Sequence, residues 1–167
     1  MALHAHGLSM AAPSGWDVRI YQRTPTEPGE RTHPVMHAAT FALPEIRGDY
    51  GSGAVELMRP RDIFLALLEF GPGAVDTPLF ARTGRPAQLV PGQFAPGRLQ
   101  RTIAGQSGSQ MFFTEQARSF CLYIVLGSHA ARSTLIPHAH AAMRSVTIAQ
   151  LAGQPAGQPS NRPTGSP

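Results

Sequence analysis

The chain has 167 residues, of which 42% are hydrophobic and only 14% are charged, a composition that fits one globular domain with a buried core. All fourteen cationic side chains are arginine and the formal net charge is +4, which permits acidic partners without demanding them. The single cysteine, Cys121, excludes an internal disulfide and any zinc site built from several cysteines.

The first part of the chain predicts an arm followed by two strands. Residues 1–14 show no hydrophobic periodicity and are expected to form a flexible arm. A strand begins at Trp16, where Trp16, Val18 and Ile20 alternate with polar residues and should face inward. After a proline-rich loop, a second strand is expected over residues 35–43, which lie between two prolines.

Two long apolar runs predict the core of a sheet. Residues 63–70 form the first run, after a short helix near residues 53–58 that Ser52 is expected to cap. The second run, residues 118–127, places Phe120 on one face and Cys121 and Tyr123 on the other. A strand that is apolar on both faces is typical of the middle of a sheet, so the two runs should be neighbours.

Short connections predict antiparallel pairing around the second apolar run. Residues 71–97 contain five prolines and should be mostly irregular. A strand over residues 99–103, a strand over 110–114 and a turn over 115–118 are then expected to lead into that run. Strands joined by such short turns pair antiparallel.

The last part of the chain predicts a helix, a short strand and a tail. Apolar residues recur at helical spacing along one face: Leu135, Ile136, Ala139, Ala142, Met143 and Val146. Thr134 is the expected N-cap, which would place Pro137 in the first turn. Residues 146–148 should add a last strand, and residues 152–167, rich in Gly, Pro, Gln and Ser, should be disordered.

Together these elements predict an α+β fold, with residues 15–151 as one mainly antiparallel domain that carries a C-terminal amphipathic helix. No apolar run has the length of a transmembrane helix, and residues 1–15 lack the basic start and apolar centre of a signal peptide. The sequence therefore predicts a cytoplasmic protein without a membrane span.

The order of these elements carries a resemblance. The Gly-Trp-Asp-Val-Arg-Ile opening, residues 62–69, residues 112–127 and the closing helix resemble a group of small uncharacterised proteins from high-GC actinobacteria. More distantly, they are similar to Mog1/PsbP-like domains, in which helices flank an antiparallel sheet. The resemblance covers about residues 15–150. It implies a binding or accessory role without a known active site.

Glu69 is the polar residue that interrupts an apolar run. A carboxylate buried without a partner is costly, so we expect Glu69 to pair with Arg118 or with Arg101. The functional alternative places this carboxylate in a cleft beside Tyr123, although one carboxylate is a weak basis for acid–base chemistry. Glu69, Arg118, Tyr123 and Arg101 are therefore the candidate binding residues.

The sequence predicts no catalytic residue, metal or cofactor. His138 and His140 are two apart on the predicted helix and would point about 160° apart, so they cannot chelate one ion together. Ser128 and His129 are adjacent on a loop and lack the Gly-x-Ser-x-Gly elbow of a hydrolase. Cys121 lies inside a core strand, where a reactive thiol is not expected.

These observations favour a non-catalytic domain that binds another protein or a second copy of itself. One alternative is a small-ligand-binding protein or enzyme with a pocket near Glu69, Arg118 and Tyr123. The other is binding of nucleic acid or an anionic surface through arginine, which is less favoured because the arginines form no run and have no interleaved aromatic residues. A convergent polar pocket, a basic face or an apolar patch would distinguish the three.

Overall fold

The computed structural model describes residues 2–153, and the predicted tail lies outside the described residues from position 154 onward. The fold is α+β and mainly antiparallel sheet, as the sequence predicts. The strands are β1 (Leu3–Ala5), β2 (Leu8–Met10), β3 (Asp17–Gln22), β4 (Pro34–Ala39), β5 (Ile63–Phe70), β6 (Ser107–Glu115), β7 (Arg118–Leu126) and β8 (Val146–Ile148), and the helix α1 is Arg132–Arg144.

The larger sheet has five antiparallel strands in the order β3-β4-β5-β7-β6. Strand β7 lies between β5 and β6 and is buried along its whole length, which confirms the prediction for the second apolar run. Phe120 and Leu122 belong to a core cluster that includes α1, whereas Cys121 and Tyr123 belong to a second cluster on the opposite face. The sheet therefore separates two hydrophobic cores.

The helix α1 packs the predicted face onto the sheet, because Leu135, Ile136, Ala139, Ala142 and Met143 are all buried. Its start differs from the prediction. The helix begins at Arg132, and the Ser128 hydroxyl accepts a hydrogen bond from the backbone N–H of Ala131 at 3.2 Å. Thr134 is therefore inside the helix, and so is Pro137.

The N-terminal arm is an ordered hairpin, which corrects the prediction of a flexible segment. Strands β1 and β2 pair around a tight turn at His6 and Gly7, both of which have positive φ. Strand β2 then pairs with β8, so that Leu8 lies opposite Ile148 in a second, three-stranded sheet. Leu8 and Met10 are each 1% exposed. Three-residue strands are too short to show a period, and their partner lies at the other end of the chain.

Two smaller details differ from the prediction: the strand over residues 99–103 and the cap of the short helix. Residues 99–103 form no strand, because β6 begins only at Ser107 and the preceding chain packs Leu99 and Ile103 against the sheet as irregular structure. The short helix predicted near residues 53–58 is present as a single 3-10 turn, Val55–Leu57, but Ser52 does not cap it. Instead, the Glu56 carboxylate accepts a hydrogen bond from the backbone N–H of Gly53 at 2.7 Å.

The region between β5 and β6 is mostly irregular, as predicted, and contains four 3-10 turns: Pro72–Ala74, Pro78–Phe80, Pro91–Gln93 and Pro96–Arg98. Each turn begins at a proline, whose fixed φ suits the first position of a helical turn. Within residues 2–153, no helix combines the length and the apolar character needed to cross a bilayer.

Candidate functional site

Glu69 and Arg118 form a buried, two-pronged ion pair. Glu69 is near the end of β5 and lies opposite Phe120, so that its side chain reaches Arg118 at the start of β7. Nε of Arg118 donates to Oε1 of Glu69 at 2.8 Å, and Nη2 donates to Oε2 at 2.6 Å. The Arg118 side chain is 0% exposed and the Glu69 side chain 8% exposed. The predicted pairing of Glu69 with Arg118 is confirmed.

The remaining Arg118 donors bind backbone. Nη1 donates to the carbonyl oxygens of Gly7 at 3.1 Å and Ala149 at 3.0 Å, and Nη2 donates to that of His6 at 3.0 Å. With the two bonds to Glu69, these three occupy all five N–H groups of the guanidinium. Arg118 thus fastens the N-terminal hairpin and the segment after β8 to the large sheet.

The other two candidates lie elsewhere. Tyr123 is on the opposite face of β7, in the second core cluster, where its hydroxyl accepts a hydrogen bond from the backbone N–H of Gln100 at 3.0 Å. Burial raises the pKa of this phenol. Arg101 is exposed and pairs with Glu56 at 3.3 Å. The four candidate residues therefore do not converge on one pocket.

A cavity of about 400 Å³ does lie beside the buried pair, lined in part by Glu69, Arg118, His6 and His33. Because every N–H of Arg118 already binds a protein oxygen, the guanidinium has no donor left for a ligand in this cavity. Among residues 2–153, no three His, Cys, Asp or Glu side chains gather closely enough to hold a metal ion.

The two edges of the five-stranded sheet differ. The outer edge of β6 is covered by the irregular segment before it: Gly108 exchanges two backbone hydrogen bonds with Ala95, at 3.0 and 3.1 Å. Thr114 is likewise bonded to Arg82 and Gly84, at 2.8 and 2.7 Å. At the other edge, β3 has backbone hydrogen bonds to β4 alone within the described part of the chain.

A groove of about 590 Å³ runs along the unpaired edge of β3. Leu3 of β1 projects into it and is 42% exposed, although β1 lies beside β3 without pairing with it. Val18 and Ile20 line the groove and pack partly on the first core. Its polar residues are Arg19, Tyr21, Arg23, Glu45 and Arg47. We call this feature the β3 groove.

A hydrogen-bonded network holds the polar wall of the β3 groove. The Tyr21 hydroxyl donates to Oδ1 of Asp49 at 3.0 Å, and Arg23 donates to Oδ2 of the same carboxylate at 2.9 Å. The Arg47 guanidinium lies 5.3 Å from the centre of the Tyr21 ring, a cation–π distance. Burial, together with the charge of Asp49, raises the pKa of Tyr21.

The buried side chain of His37, on β4, holds this network in place through two hydrogen bonds. Arg47 Nε donates to His37 Nδ1 at 2.8 Å, so Nδ1 carries no proton, and His37 Nε2 donates to the carbonyl oxygen of Asp49 at 2.8 Å. The ring is fully buried, and this burial, with the nearby charge of Arg47, lowers the pKa of His37 to about 4. A neutral imidazole therefore bridges Arg47 and Asp49, which belong to the same loop after β4.

Sequence reasoning placed Val18 and Ile20 on the inward face of β3, where they pack on the first core, but it did not identify the groove. Whether a strand lies at an edge depends on which elements cover it, and the covering of β6 comes from an irregular segment without a strand pattern. No family model, curated protein or solved structure matches this chain. The resemblance to actinobacterial proteins and Mog1/PsbP-like domains stays an expectation from the sequence.

Proposed function

We propose that this chain is a non-catalytic binding protein that takes up an extended segment of a partner protein as an added strand along β3. The observation that carries the proposal is the contrast between the two sheet edges: β6 is covered, whereas β3 leaves one row of backbone groups without a partner in the described residues. Exposed edges are a template for strand addition, and folded proteins usually cover them.

The walls of the β3 groove define the chemistry of the partner segment. An added strand alternates its side chains between the two faces of the sheet. On one face they would meet Leu3, Val18 and Ile20, which favour aliphatic residues. On the other they would meet Arg19, Arg23 and Arg47, whose positive charges outnumber the one carboxylate of the groove, Glu45, and favour acidic residues. The partner segment is therefore an extended peptide of alternating aliphatic and acidic residues, about six residues long to match β3.

Two of these arginines already have acidic partners on the surface. Arg19 pairs with Asp17 at 2.9 Å and Arg23 with Asp49 at 2.9 Å, and their side chains are 57% and 61% exposed. Exposed ion pairs of this kind contribute little to stability, so an arginine can exchange its carboxylate partner at small cost. They therefore do not prevent a peptide carboxylate from binding. The resemblance noted above, which implies an accessory role, agrees with this proposal.

The test uses a fluorescent heptapeptide of alternating valine and glutamate, followed by anisotropy. We expect saturable binding, and binding at least about tenfold weaker for the valine–lysine counterpart. Backbone N-methylation provides the sharpest control, because an added strand uses the N–H groups of only one of its edges. The peptide has two sets of alternate residues, or phases, and each set directs its N–H groups to one edge. Methylating the phase that faces β3 should abolish binding, and methylating the other phase should spare it. Equal effects in both phases would exclude strand addition.

Matched variants locate the site. Arg19→Glu should reverse the charge preference, so that the valine–lysine peptide binds better than the valine–glutamate peptide. Arg82→Glu makes the same charge change at an exposed residue of the segment that covers β6, at the opposite edge of the sheet, and should leave the preference unchanged. Light scattering tests whether a second copy of the chain occupies the groove instead. A concentration-dependent dimer that Arg19→Glu disrupts would show that it does, and would contradict the proposal.

A further inference from the structure

A second concave surface, separate from the β3 groove, lies between α1 and the strands beneath it. This cleft has a volume of about 690 Å³, within the range of small-molecule sites. Trp16, Ile63, Leu135, Arg61 and His138 contribute its main side chains. We call it the Trp16 cleft. None of the candidate residues chosen from the sequence lines it.

The cleft has an apolar floor and a polar mouth. Ile63 and Leu135 are 1% and 6% exposed and belong to the core under α1. Trp16 is partly buried and packs against the same core. By contrast, Arg61 and His138 are exposed. A ligand could therefore bury an apolar body on the floor while a polar group remains at the mouth.

The mouth has a positive charge without a neutralising partner. Among residues 2–153, neither Arg61 nor His138 has a hydrogen bond or ion pair to the protein, and no Asp or Glu lines the cleft. The nearest carboxylate in sequence, Asp62, uses Oδ1 to accept from the Thr40 hydroxyl at 3.3 Å and Oδ2 to accept from the Arg59 backbone N–H at 2.7 Å. Arg61 is thus available to an anion.

We infer that the Trp16 cleft binds a small aromatic carboxylate. Its ring would pack against the Trp16 indole and the Ile63 and Leu135 side chains, which supply the apolar contact area. Its carboxylate would accept hydrogen bonds from the Arg61 guanidinium, whose fork geometry matches a carboxylate, and from the His138 imidazole. This site is independent of strand addition at β3 and could be occupied at the same time.

Trp16 is the only tryptophan of the chain, so its fluorescence reports on the cleft directly. The probes are hydrocinnamate and its uncharged isostere hydrocinnamamide, neither of which absorbs where indole alone is excited. We expect a saturable change of Trp16 fluorescence with hydrocinnamate and binding about tenfold weaker for the amide, because only the acid gains a charge-assisted hydrogen bond. Equal affinity for acid and amide, or no saturable change with either, would overturn the inference.

Two substitutions in the cleft and two control substitutions outside it identify the residues that contact the carboxylate. Arg61→Gln should weaken hydrocinnamate binding about tenfold and leave the amide unaffected, and His138→Gln should weaken it less. Arg59→Gln removes the same charge two positions away, and His4→Gln removes an exposed histidine outside the cleft; both should stay within about twofold of the parent chain. If Arg59→Gln costs as much as Arg61→Gln, a general attraction of anions explains the binding and the site is rejected.

Discussion

Arg118 brings its positive charge to a fully buried position at the start of β7. Such a charge is tolerated only when it is paired and hydrogen-bonded, and this guanidinium meets both conditions through Glu69 and three carbonyl oxygens. Glu69 supplies the only carboxylate among those contacts. The interruption of an apolar run by Glu69 is therefore explained by the need to neutralise a buried structural charge.

A double-mutant cycle measures the coupling of Glu69 and Arg118. Glu69→Gln keeps the shape but removes the charge, and should destabilise the protein by about 1–3 kcal/mol because Arg118 stays buried without a counter-ion. Arg118→Met should also destabilise it. The double variant should cost less than the sum of the two single changes, as measured by denaturant unfolding. Strict additivity would mean that the observed pair contributes no coupling.

His37 makes stability depend on pH. In the folded protein its pKa is lowered from 6.5 to about 4, chiefly by burial. Between these values the unfolded chain binds more protons than the folded one, so stability falls as the pH decreases. Because the ring is fully buried, the effect should approach about 3 kcal/mol between pH 7 and pH 4.

The variant His37→Gln isolates this contribution. Glutamine can accept from Arg47 and donate to the Asp49 carbonyl but does not titrate in this range. Urea unfolding at several pH values should show a smaller loss on acidification for His37→Gln than for the parent chain, and the difference between the two curves is the contribution of His37. Parallel curves would show that folding does not change the pKa of His37, contrary to its burial and its hydrogen bonds.

At the scale of elements, the sequence predicts those strands and helices whose formation depends on the local hydrophobic pattern. Strands β5 and β7 follow from continuous apolar runs, and the buried face of α1 follows from its helical spacing. Strands β1 and β2 were missed because β1 pairs with β2, and β2 in turn pairs with β8, more than a hundred positions along the chain. Residues 99–103 carry a strand-like pattern, but the hydrogen bonds at the edge of β6 go instead to Ala95, Arg82 and Gly84.

The candidate site also has some features that the sequence predicts and others that depend on the whole fold. The pairing of Glu69 with Arg118 could be predicted, since a buried carboxylate needs a cation and Arg118 begins the neighbouring strand. The alternation of side chains along β7 already places Arg118 and Tyr123 on opposite faces, so their separation was also contained in the sequence. The β3 groove and the Trp16 cleft could not be predicted from the sequence, because each joins segments whose proximity depends on the whole fold.

At the scale of the whole molecule, the five-stranded sheet separates the two cores and Cys121 lies on the face away from α1. The thiol is 0% exposed, and burial raises its pKa, so both access and ionisation are suppressed in the folded state. The Gln110 side chain contacts the thiol, with its Nε2 3.5 Å from the sulfur. A thiol reagent can reach Cys121 only when β7 separates from its surroundings.

Labelling of Cys121 should therefore report global unfolding. We expect a native-state rate at least about a thousandfold below the rate in denaturant, since the rate scales with the population of the open form. The rate should rise with urea along the slope of the equilibrium unfolding curve, because opening β7 exposes both cores. Glu69→Gln, which destabilises the same sheet on its other face, should speed labelling by the factor that its loss of stability predicts. Labelling that is fast and insensitive to urea would instead mean that the face beside Gln110 opens locally, with the rest of the sheet intact.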